Sequence, residues 1–353
     1  MSEQNNAPDF KEMRSIIQAV PGPDLEAAKL ARARQDCLTK PQGSLGRLEE
    51  LATWMATWQG RAQPELRRAR VAVFAGNHGV NAQGVSAFPV EVTKQMVANF
   101  TAGGAAVNQI CGVVDAELRV YELDLDNPTN DFTTGPAMVE EECAKAMSYG
   151  MMAVEGNLHL LCLGEMGIGN TTSAAALCLA MFGGDAADWV GRGTGVDEAG
   201  LKRKVAAVEA GLRANLGGSG AALDDPLEIL RCLGGLELAA IAGAVLAARM
   251  GRIPVVLDGY TCTAAAAILY KIDPALLDHC VVAHCSVEPG HRRLMDKIGK
   301  TPLFDYSMRL GEGSGAALAI PVLRSAVACL SGMATFGEAG VSDRDASPVN
   351  STS

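Results

Sequence analysis

A single carboxylate, Glu312, stands between two glycines in the segment Leu310-Gly311-Glu312-Gly313-Ser314-Gly315. Two alternatives explain it. A glutamate at the start of a helix, here the apolar residues 316–320, is stabilised by the helix dipole without any function. Apolar neighbours can instead raise the pKa of a carboxylate that glycines leave unshielded, and a general base near neutral pH requires such a pKa.

Two further acids follow apolar runs typical of buried strands. Glu165 lies in Gly164-Glu165-Met166-Gly167-Ile168-Gly169-Asn170-Thr171-Thr172, and Asp258 follows residues 254–257. Asn170 or Thr171 can cap the next helix, which explains that part of the motif without any function. An acid at the end of a buried strand, however, costs free energy unless a partner compensates it. We therefore expect Glu165, Asp258 and Glu312 to meet in one cleft.

Common nucleotide, metal and hydrolase motifs are absent from the sequence. The glycines that begin at Gly191 and at Gly164 both miss the G-x-G-x-x-G spacing, and there is no G-x-x-x-x-G-K-[ST] loop. The five histidines and ten cysteines form no H-x-x-x-H or C-x-x-C pair, so we predict no metal and no cofactor. No Ser/His/Asp order requires a hydrolase. The residues alone predict a nucleotide-handling enzyme with a carboxylate base.

Short apolar runs of the kind found in strands recur from residue 70 onward. They cover residues 71–75, 118–125, 158–163, 254–257 and 280–283, and Ala-rich helical stretches follow them. This alternation predicts an α/β fold, a parallel Rossmann-like sheet with helices on both faces. Ligands of such sheets bind outside the carboxyl ends of the strands, where the acids described above are expected.

Helical periodicity marks both ends of the chain, at residues 23–38, 46–58 and 322–333. We predict that the two chain ends form a small helical domain around the α/β domain. Its N-terminal segment is residues 1–65, the α/β domain is residues 66–320, and residues 321–353 add a C-terminal helical segment and a polar tail.

The net charge of −10 argues against a nucleic-acid partner, because phosphate backbones bind basic surfaces. Residues 1–6 are polar and lack the apolar stretch of a secretory signal. The apolar run 238–248 is bounded by Glu237 and Arg249 and is too short to span a bilayer. We expect a cytoplasmic protein that does not bind a membrane.

Several of these stretches together resemble the nicotinate-nucleotide–dimethylbenzimidazole phosphoribosyltransferase family, which acts in assembly of the lower ligand of cobalamin. The matching stretches run in order from about residue 20 to about residue 335. They are Lys40-Pro41-x-Gly43-Ser44-Leu45-Gly46-Arg47-Leu48-Glu49, His78-Gly79-Val80, Gly164-Glu165-Met166-Gly167-x-Gly169-Asn170-Thr171-Thr172, Gly234-Gly235-Leu236-Glu237-Leu238, Pro254-Val255-Val256-Leu257-Asp258-Gly259 and Arg309-Leu310-Gly311-Glu312-Gly313-Ser314-Gly315-Ala316-Ala317-Leu318-Ala319.

The resemblance implies transfer of ribose 5-phosphate from nicotinate mononucleotide to 5,6-dimethylbenzimidazole, by a homodimer without a cofactor. Glu312 matches the proton acceptor of the family, and Glu165 matches a second catalytic acid. The resemblance assigns the nucleotide and its phosphate to Gly167, Gly193, Lys204, Asp258, Ser286, Gly311 and Gly313. It assigns the walls of the benzimidazole pocket to Phe88, Met96, Met166 and Leu310.

Phe88 and Met96 stand where the family usually has smaller polar residues. Two alternatives therefore stay open beside the phosphoribosyltransferase. One is a transferase of the same fold that uses another aromatic base, such as adenine or a phenolic acceptor. The other is a non-catalytic nucleotide-binding module. The glutamate between two glycines argues against this alternative, since a protein that only binds a nucleotide has little use for such a residue.

Overall fold

The computed structural model describes residues 7–215 and 225–342. Two expectations concern residues that lie outside the described ones. They are the absence of a secretory signal at residues 1–6 and the part of the polar tail that covers residues 343–353. The chain divides into two compact units. One consists of Met1–Pro21 and Arg68–Ala319, and the other of Gly22–Arg67 and Ile320–Ser353.

The first unit contains a parallel sheet of five strands in the order β2-β1-β3-β4-β5. The strands are β1 (Ala69–Gly76), β2 (Glu117–Leu123), β3 (Leu160–Met166), β4 (Val255–Leu257) and β5 (Cys280–Val282). Each predicted strand is found, with its ends within three residues of the prediction. This strand order is doubly wound, and its switch point, where such sheets bind ligands, lies between β1 and β3.

Helices surround the sheet, so the predicted α/β fold class is confirmed. In chain order the α-helices of the described residues are α1 Phe10–Gln18, α2 Leu25–Cys37, α3 Arg47–Gln59, α4 Glu91–Thr101, α5 Ala106–Val113, α6 Glu140–Met151, α7 Asn170–Phe182, α8 Ala186–Trp189, α9 Glu198–Asn215, α10 Pro226–Leu233, α11 Leu236–Met250, α12 Tyr260–Ile272, α13 Pro289–Ile298, α14 Ser314–Gly332 and α15 Phe336–Ala339.

The central strands of the sheet are covered on both faces. Every residue of β1 is buried, and so is every residue of β4, which explains their unbroken apolar sequences. On the edge strand β2, by contrast, only Tyr121 and Leu123 are buried. The rigid interior of the sheet thus fixes the strand ends after β1, β3, β4 and β5, where the candidate residues lie.

The second unit is helical and uses one of the recognised motifs for its own structure. The Lys40 ammonium donates to Glu49 at 2.7 Å, and the backbone N–H of Leu45 donates to the same carboxylate at 3.0 Å. Both charged side chains of this pair are largely shielded from solvent. The Lys40–Glu49 stretch therefore shapes the connection between α2 and α3.

Helix α14 differs from the sequence prediction, which separated residues 316–320 from residues 322–333. It runs without interruption from Ser314 to Gly332 and includes Pro321. A proline removes only one backbone hydrogen bond, and the buried side chains of Ile320 and Leu323 hold the helix on either side of it. By length and composition alone α14 could cross a membrane, a test that core helices of globular proteins also pass.

Candidate active site

A cleft of about 440 Å³ lies at the carboxyl ends of the strands. Loops that follow β1, β3, β4 and β5 contribute to its walls, as the switch-point rule predicts. Eight of the residues singled out from the sequence line it: Phe88, Glu165, Met166, Gly167, Gly193, Ser286, Leu310 and Gly311. Five others do not line it: Met96, Lys204, Asp258, Glu312 and Gly313.

The turn that carries Glu312 has an unusual backbone. Gly311, Glu312 and Gly313 have φ angles of +81°, +64° and +76°, three consecutive residues in the left-handed region. Glycine adopts this conformation freely, whereas a glutamate does so at a cost in free energy. The two glycines are therefore a requirement of the backbone, and the strained residue between them is of the kind that clusters at functional sites.

Hydrogen bonds fix this turn against β3. The backbone N–H of Glu312 donates to the carbonyl oxygen of Glu165 at 3.1 Å, and the Ser314 hydroxyl donates to the carbonyl of Gly311 at 2.7 Å. Gly311 also leaves room for the Glu165 side chain, since a Cβ at that position would lie 2.5 Å from Glu165 Oε1. Glu312 thus follows Gly311, which lines the cleft, and its backbone is hydrogen-bonded to the backbone of Glu165.

The Asp258 carboxylate also holds the turn that carries Glu312. Its Oδ2 accepts from the N–H of Gly313 at 3.1 Å, and its Oδ1 accepts from the N–H of Ala316 at 2.9 Å. The side chain is fully buried. The sequence prediction assigned Asp258 to the nucleotide, but the structure places it behind the cleft wall, where its oxygens hold the backbone of the turn.

Burial raises the pKa values of all three acids. The pKa of Glu312 is raised to about 7 by burial and, to a lesser extent, by the negative charge of Asp258. Burial and then the Asp258 charge hold the pKa of Glu165 well above its usual range, although the Asn170 amide, which donates to Glu165, opposes this. Burial also raises the pKa of Asp258, against the effect of His284. The three acids lie close together, as predicted, but only Glu165 lines the cleft, whereas Asp258 and Glu312 are buried beside it.

Lys204 is a buried residue rather than an exposed lysine of α9. Its ammonium donates to the Thr171 hydroxyl and to the carbonyl of Gly191, each at 2.9 Å, and only 1% of the residue is exposed. Burial lowers its pKa to about 8, and the Glu288 carboxylate opposes that shift. Lys204 therefore lies directly behind the cleft wall, where the sequence prediction expected it to reach the phosphate.

Gly193 is held from both sides at the mouth of the cleft. Its N–H donates to Glu288 Oε1 at 2.9 Å, and its carbonyl accepts from the Arg309 guanidinium at 3.1 Å. Its φ angle is +51°, and a Cβ at this position would lie only 3.0 Å from the Lys204 ammonium. Three charged groups thus fix the position of this one loop.

Two helices begin at the cleft without a side-chain cap. Helix α7 starts after Gly169 and α12 after Gly259, and neither glycine can cap the free N–H groups of the first turn. The first residues of both helices line the cleft, and so does Arg309. The partial positive charge of helix starts and the guanidinium favour an anion such as a phosphate.

The apolar wall of the cleft is only partly covered. Phe88 and Leu310 line it and are 50% and 54% exposed, and Met166 lines it from the end of β3. Met96, predicted for the same wall, lies on α4 and does not line the cleft. Exposed apolar side chains beside a polar cleft favour a flat apolar ligand such as an aromatic base.

Sequence reasoning missed several residues of the cleft. Glu288 and Arg309 hold Gly193, and His284 lines the cleft wall. The first two are charged residues of ordinary surface type, although each lies within three residues of a predicted site residue. Their closeness in sequence to predicted site residues was the signal that could have indicated them. His284 stood at a predicted strand end, but its sequence pattern indicated no role.

A metal site is not found within residues 7–215 and 225–342, since no three His, Cys, Asp or Glu side chains are grouped to hold an ion. All ten cysteines are free, and eight of them are buried. Buried thiols of this kind behave as small apolar side chains.

Residues 20–341 match the model of a family described as phosphoribosyltransferase. The nicotinate-nucleotide–dimethylbenzimidazole phosphoribosyltransferase of Rhizobium leguminosarum bv. trifolii is 56% identical, over 95% of this chain and 98% of the relative. The enzyme of the same name from Brucella canis is also 56% identical, over 94% and 97%. A solved structure of this enzyme from Thermus thermophilus is 44% identical, with a TM-score of 0.83 over 90% of this chain and 99% of that chain.

Proposed function

The chain belongs to the nicotinate-nucleotide–dimethylbenzimidazole phosphoribosyltransferase family, and we propose that it catalyses the reaction for which its relatives are named. In this reaction ribose 5-phosphate moves from nicotinate mononucleotide to 5,6-dimethylbenzimidazole, and α-ribazole 5′-phosphate and nicotinate are formed. The observation that carries the proposal is the group of three acids at the end of the sheet, where Glu165 lines the cleft and the adjacent turn with Glu312 bonds to the Glu165 carbonyl and to the Asp258 carboxylate.

These acids complement a cationic substrate. The ring nitrogen of nicotinate mononucleotide is positively charged, and a cation beside a buried carboxylate favours its ionised form. Binding of this nucleotide would therefore lower the pKa values of Glu165 and Glu312 and compensate the cost of burying them. Nicotinate leaves with the electron pair of its glycosidic bond and becomes neutral at nitrogen, so no general acid is needed.

In the proposed mechanism Glu312 is the general base. One nitrogen of the benzimidazole attacks C1′ of the ribose from the face opposite the nicotinate, which converts a β-nucleotide into an α-nucleotide. The proton on the other nitrogen passes to Glu312, whose pKa of about 7 suits a base near neutral pH. Glu165, beside the reacting centre, stabilises the positive charge that develops on the ribose.

We assign the nucleotide to the part of the cleft lined by Gly167, Gly193, Ser286 and Gly311. The starts of α7 and α12 and the Arg309 guanidinium attract its phosphate. Lys204 and Gly313 support this wall from behind. The exposed side chains of Phe88, Met166 and Leu310 offer the stacking surface for the benzimidazole.

Replacement of Lys204 by alanine is expected to weaken nucleotide binding by about tenfold and benzimidazole binding by less than about twofold. The ammonium holds Gly191 and Thr171 in place around Gly193, and it adds positive charge close to the phosphate. Titration calorimetry with each substrate measures both affinities. The matched control is Lys202→Ala, an exposed lysine of the same helix. Equal losses for the two substrates would contradict this placement.

The pH dependence follows from the ionisation of Glu312. A base must be deprotonated, so kcat/KM is expected to be constant above the pKa of about 7 and to fall as the pH is lowered through it. Well below that value the loss approaches about tenfold for each pH unit. Initial rates between pH 5 and pH 9 at low nucleotide concentration give the profile. A flat profile through pH 6 would rule out a base with this pKa.

The proposed reaction is tested by mixing the purified protein with nicotinate mononucleotide and dimethylbenzimidazole. Chromatography then follows nicotinate release and the new nucleotide. Phe88, half exposed where the family usually has a smaller polar residue, favours a second candidate, transfer to another aromatic base. Adenine and phenol are therefore tested in parallel. Product from one of them, with none from dimethylbenzimidazole, would replace the first proposal by the second.

A further inference from the structure

His284 is a buried histidine whose ring lacks hydrogen-bond partners. It follows β5, lines the cleft wall and is 1% exposed. Its ring stacks on Phe304, with centroids 6.3 Å apart and planes inclined by 16°. Within the part of the chain that the structure describes, neither Nδ1 nor Nε2 has a hydrogen-bond partner. Since buried polar groups are nearly always paired, this imidazole needs an explanation.

The charged group beside this ring is the buried carboxylate of Asp258. His284 Nε2 lies 3.7 Å from Asp258 Oδ1, slightly too far for a hydrogen bond. Asp258 already accepts from the N–H groups of Gly313 and Ala316, and so it fixes the turn that carries Glu312. An imidazole N–H that approached by less than about 1 Å, a small shift on the scale of hydrogen-bond lengths, would be a third donor.

The same turn is shaped to receive the imidazole. A Cβ at Gly315 would lie 2.1 Å from His284 Cδ2 and 2.8 Å from Nε2. A Cβ at Gly259, where α12 begins, would lie 3.3 Å from Nε2. The absence of a side chain at Gly315 therefore brings His284, Asp258 and the Glu312 turn into direct contact.

We propose that His284 is a positioning residue, which supports Asp258 and through it holds the turn that presents Glu312. This proposal rests on the proposed function, in which Glu312 is the base. Hydrogen bonds of catalytic sites are often long in the empty enzyme and shorten when substrates bind, which accounts for the unpaired ring. Because the Asp258 charge raises the pKa of Glu312, a donor that shields this charge lowers that pKa, and Glu312 is then more fully ionised at neutral pH.

The test compares His284→Phe, which keeps the flat ring but has no donor, with His284→Gln, which keeps a side-chain N–H. The phenylalanine variant is expected to lose about tenfold to a hundredfold in kcat, with KM for the nucleotide changed by less than about threefold. The glutamine variant is expected to recover part of that loss. The matched control is His279→Gln, a buried histidine at the opposite end of β5, which bonds to the carbonyl of Val245 at 3.0 Å and should keep its kcat.

A double variant separates this role from direct contact with a substrate. In the background of Glu312→Gln, His284→Phe is expected to cause no further loss, because both changes remove the same function. Multiplied losses, a normal kcat for His284→Phe or a change confined to KM would each overturn the positioning role. If His284→Phe does not fold, His284→Leu, which also has no donor, takes its place in the comparison with His284→Gln. A normal rate for Glu312→Gln itself would instead refute the proposed base.

Discussion

Replacement of Glu312 by glutamine is expected to reduce turnover by at least about a hundredfold while nucleotide binding changes by less than about threefold. Glutamine has the same shape but its amide cannot accept the proton of the incoming base. The contacts that hold the turn use the backbone at residue 312, the Ser314 hydroxyl and Asp258, and all of them remain. Nicotinate release under saturating substrates measures turnover, and calorimetry measures binding.

The conservative control for this experiment is Glu312→Asp. It keeps a carboxylate but withdraws it by one methylene, so we expect a rate between those of the glutamine variant and the parent enzyme. The glutamine variant should also lose the fall in rate below pH 7 that ionisation of Glu312 produces. If its turnover stayed within about threefold of the parent enzyme, Glu312 would not be the base, and the group of acids would need another explanation.

The sequence was sufficient for the sheet because the physics of a buried strand is local. Strands such as β1 and β4, covered on both faces, require unbroken apolar runs, and these runs are visible without any tertiary information. The same reasoning located Glu165 and Asp258 at strand ends. The glycines beside Glu312 were expected only to leave its carboxylate unshielded, and their left-handed backbone became visible in the structure.

The sequence could not show whether a predicted side chain lines the cleft or lies behind its wall. Asp258 and Glu165 lie at the ends of neighbouring strands, where the register places Asp258 one level before Glu165, and only Glu165 lines the cleft. The reason is that the turn around Gly313 packs over the end of β4 and takes both oxygens of Asp258. The burial of Lys204 was not visible either, because helical periodicity does not reveal that its ammonium bonds to Thr171 and to the carbonyl of Gly191. Such packing joins segments distant in the sequence.

Gly164→Ala is expected to reduce turnover by about a hundredfold although residue 164 makes no contact with a substrate. Gly164 lies in β3, and a Cβ there would be 2.3 Å from the backbone nitrogen of Gly313 and 2.7 Å from the carbonyl carbon of Glu312. Backbone atoms cannot rotate away as a side chain does, so the turn must shift by several tenths of an ångström or more. A misplacement of about 1 Å is enough for a loss of this size.

Measurement of kcat, of the melting temperature and of nucleotide affinity separates a shifted turn from a damaged fold. The control is Gly112→Ala in α5, where an added Cβ would have no neighbour within 4 Å and kcat should not change. Overpacking lowers stability as well, by about 1–3 kcal/mol, so a folded protein with a lower melting temperature is expected. A normal kcat in Gly164→Ala would mean that the turn adapts and that its position is not critical.

The pH profile then distinguishes the two inactive variants from each other. Gly164→Ala keeps the Glu312 carboxylate, so its residual activity should still fall as the pH is lowered through about 7. Glu312→Gln lacks this carboxylate, so its residual activity should fall less steeply in that range, and any fall that remains would come from Glu165, whose pKa is also raised. Similar losses of turnover with different pH profiles would separate the position of the base from its chemistry. Identical flat profiles would instead indicate that Glu312 is not the group whose ionisation limits the reaction.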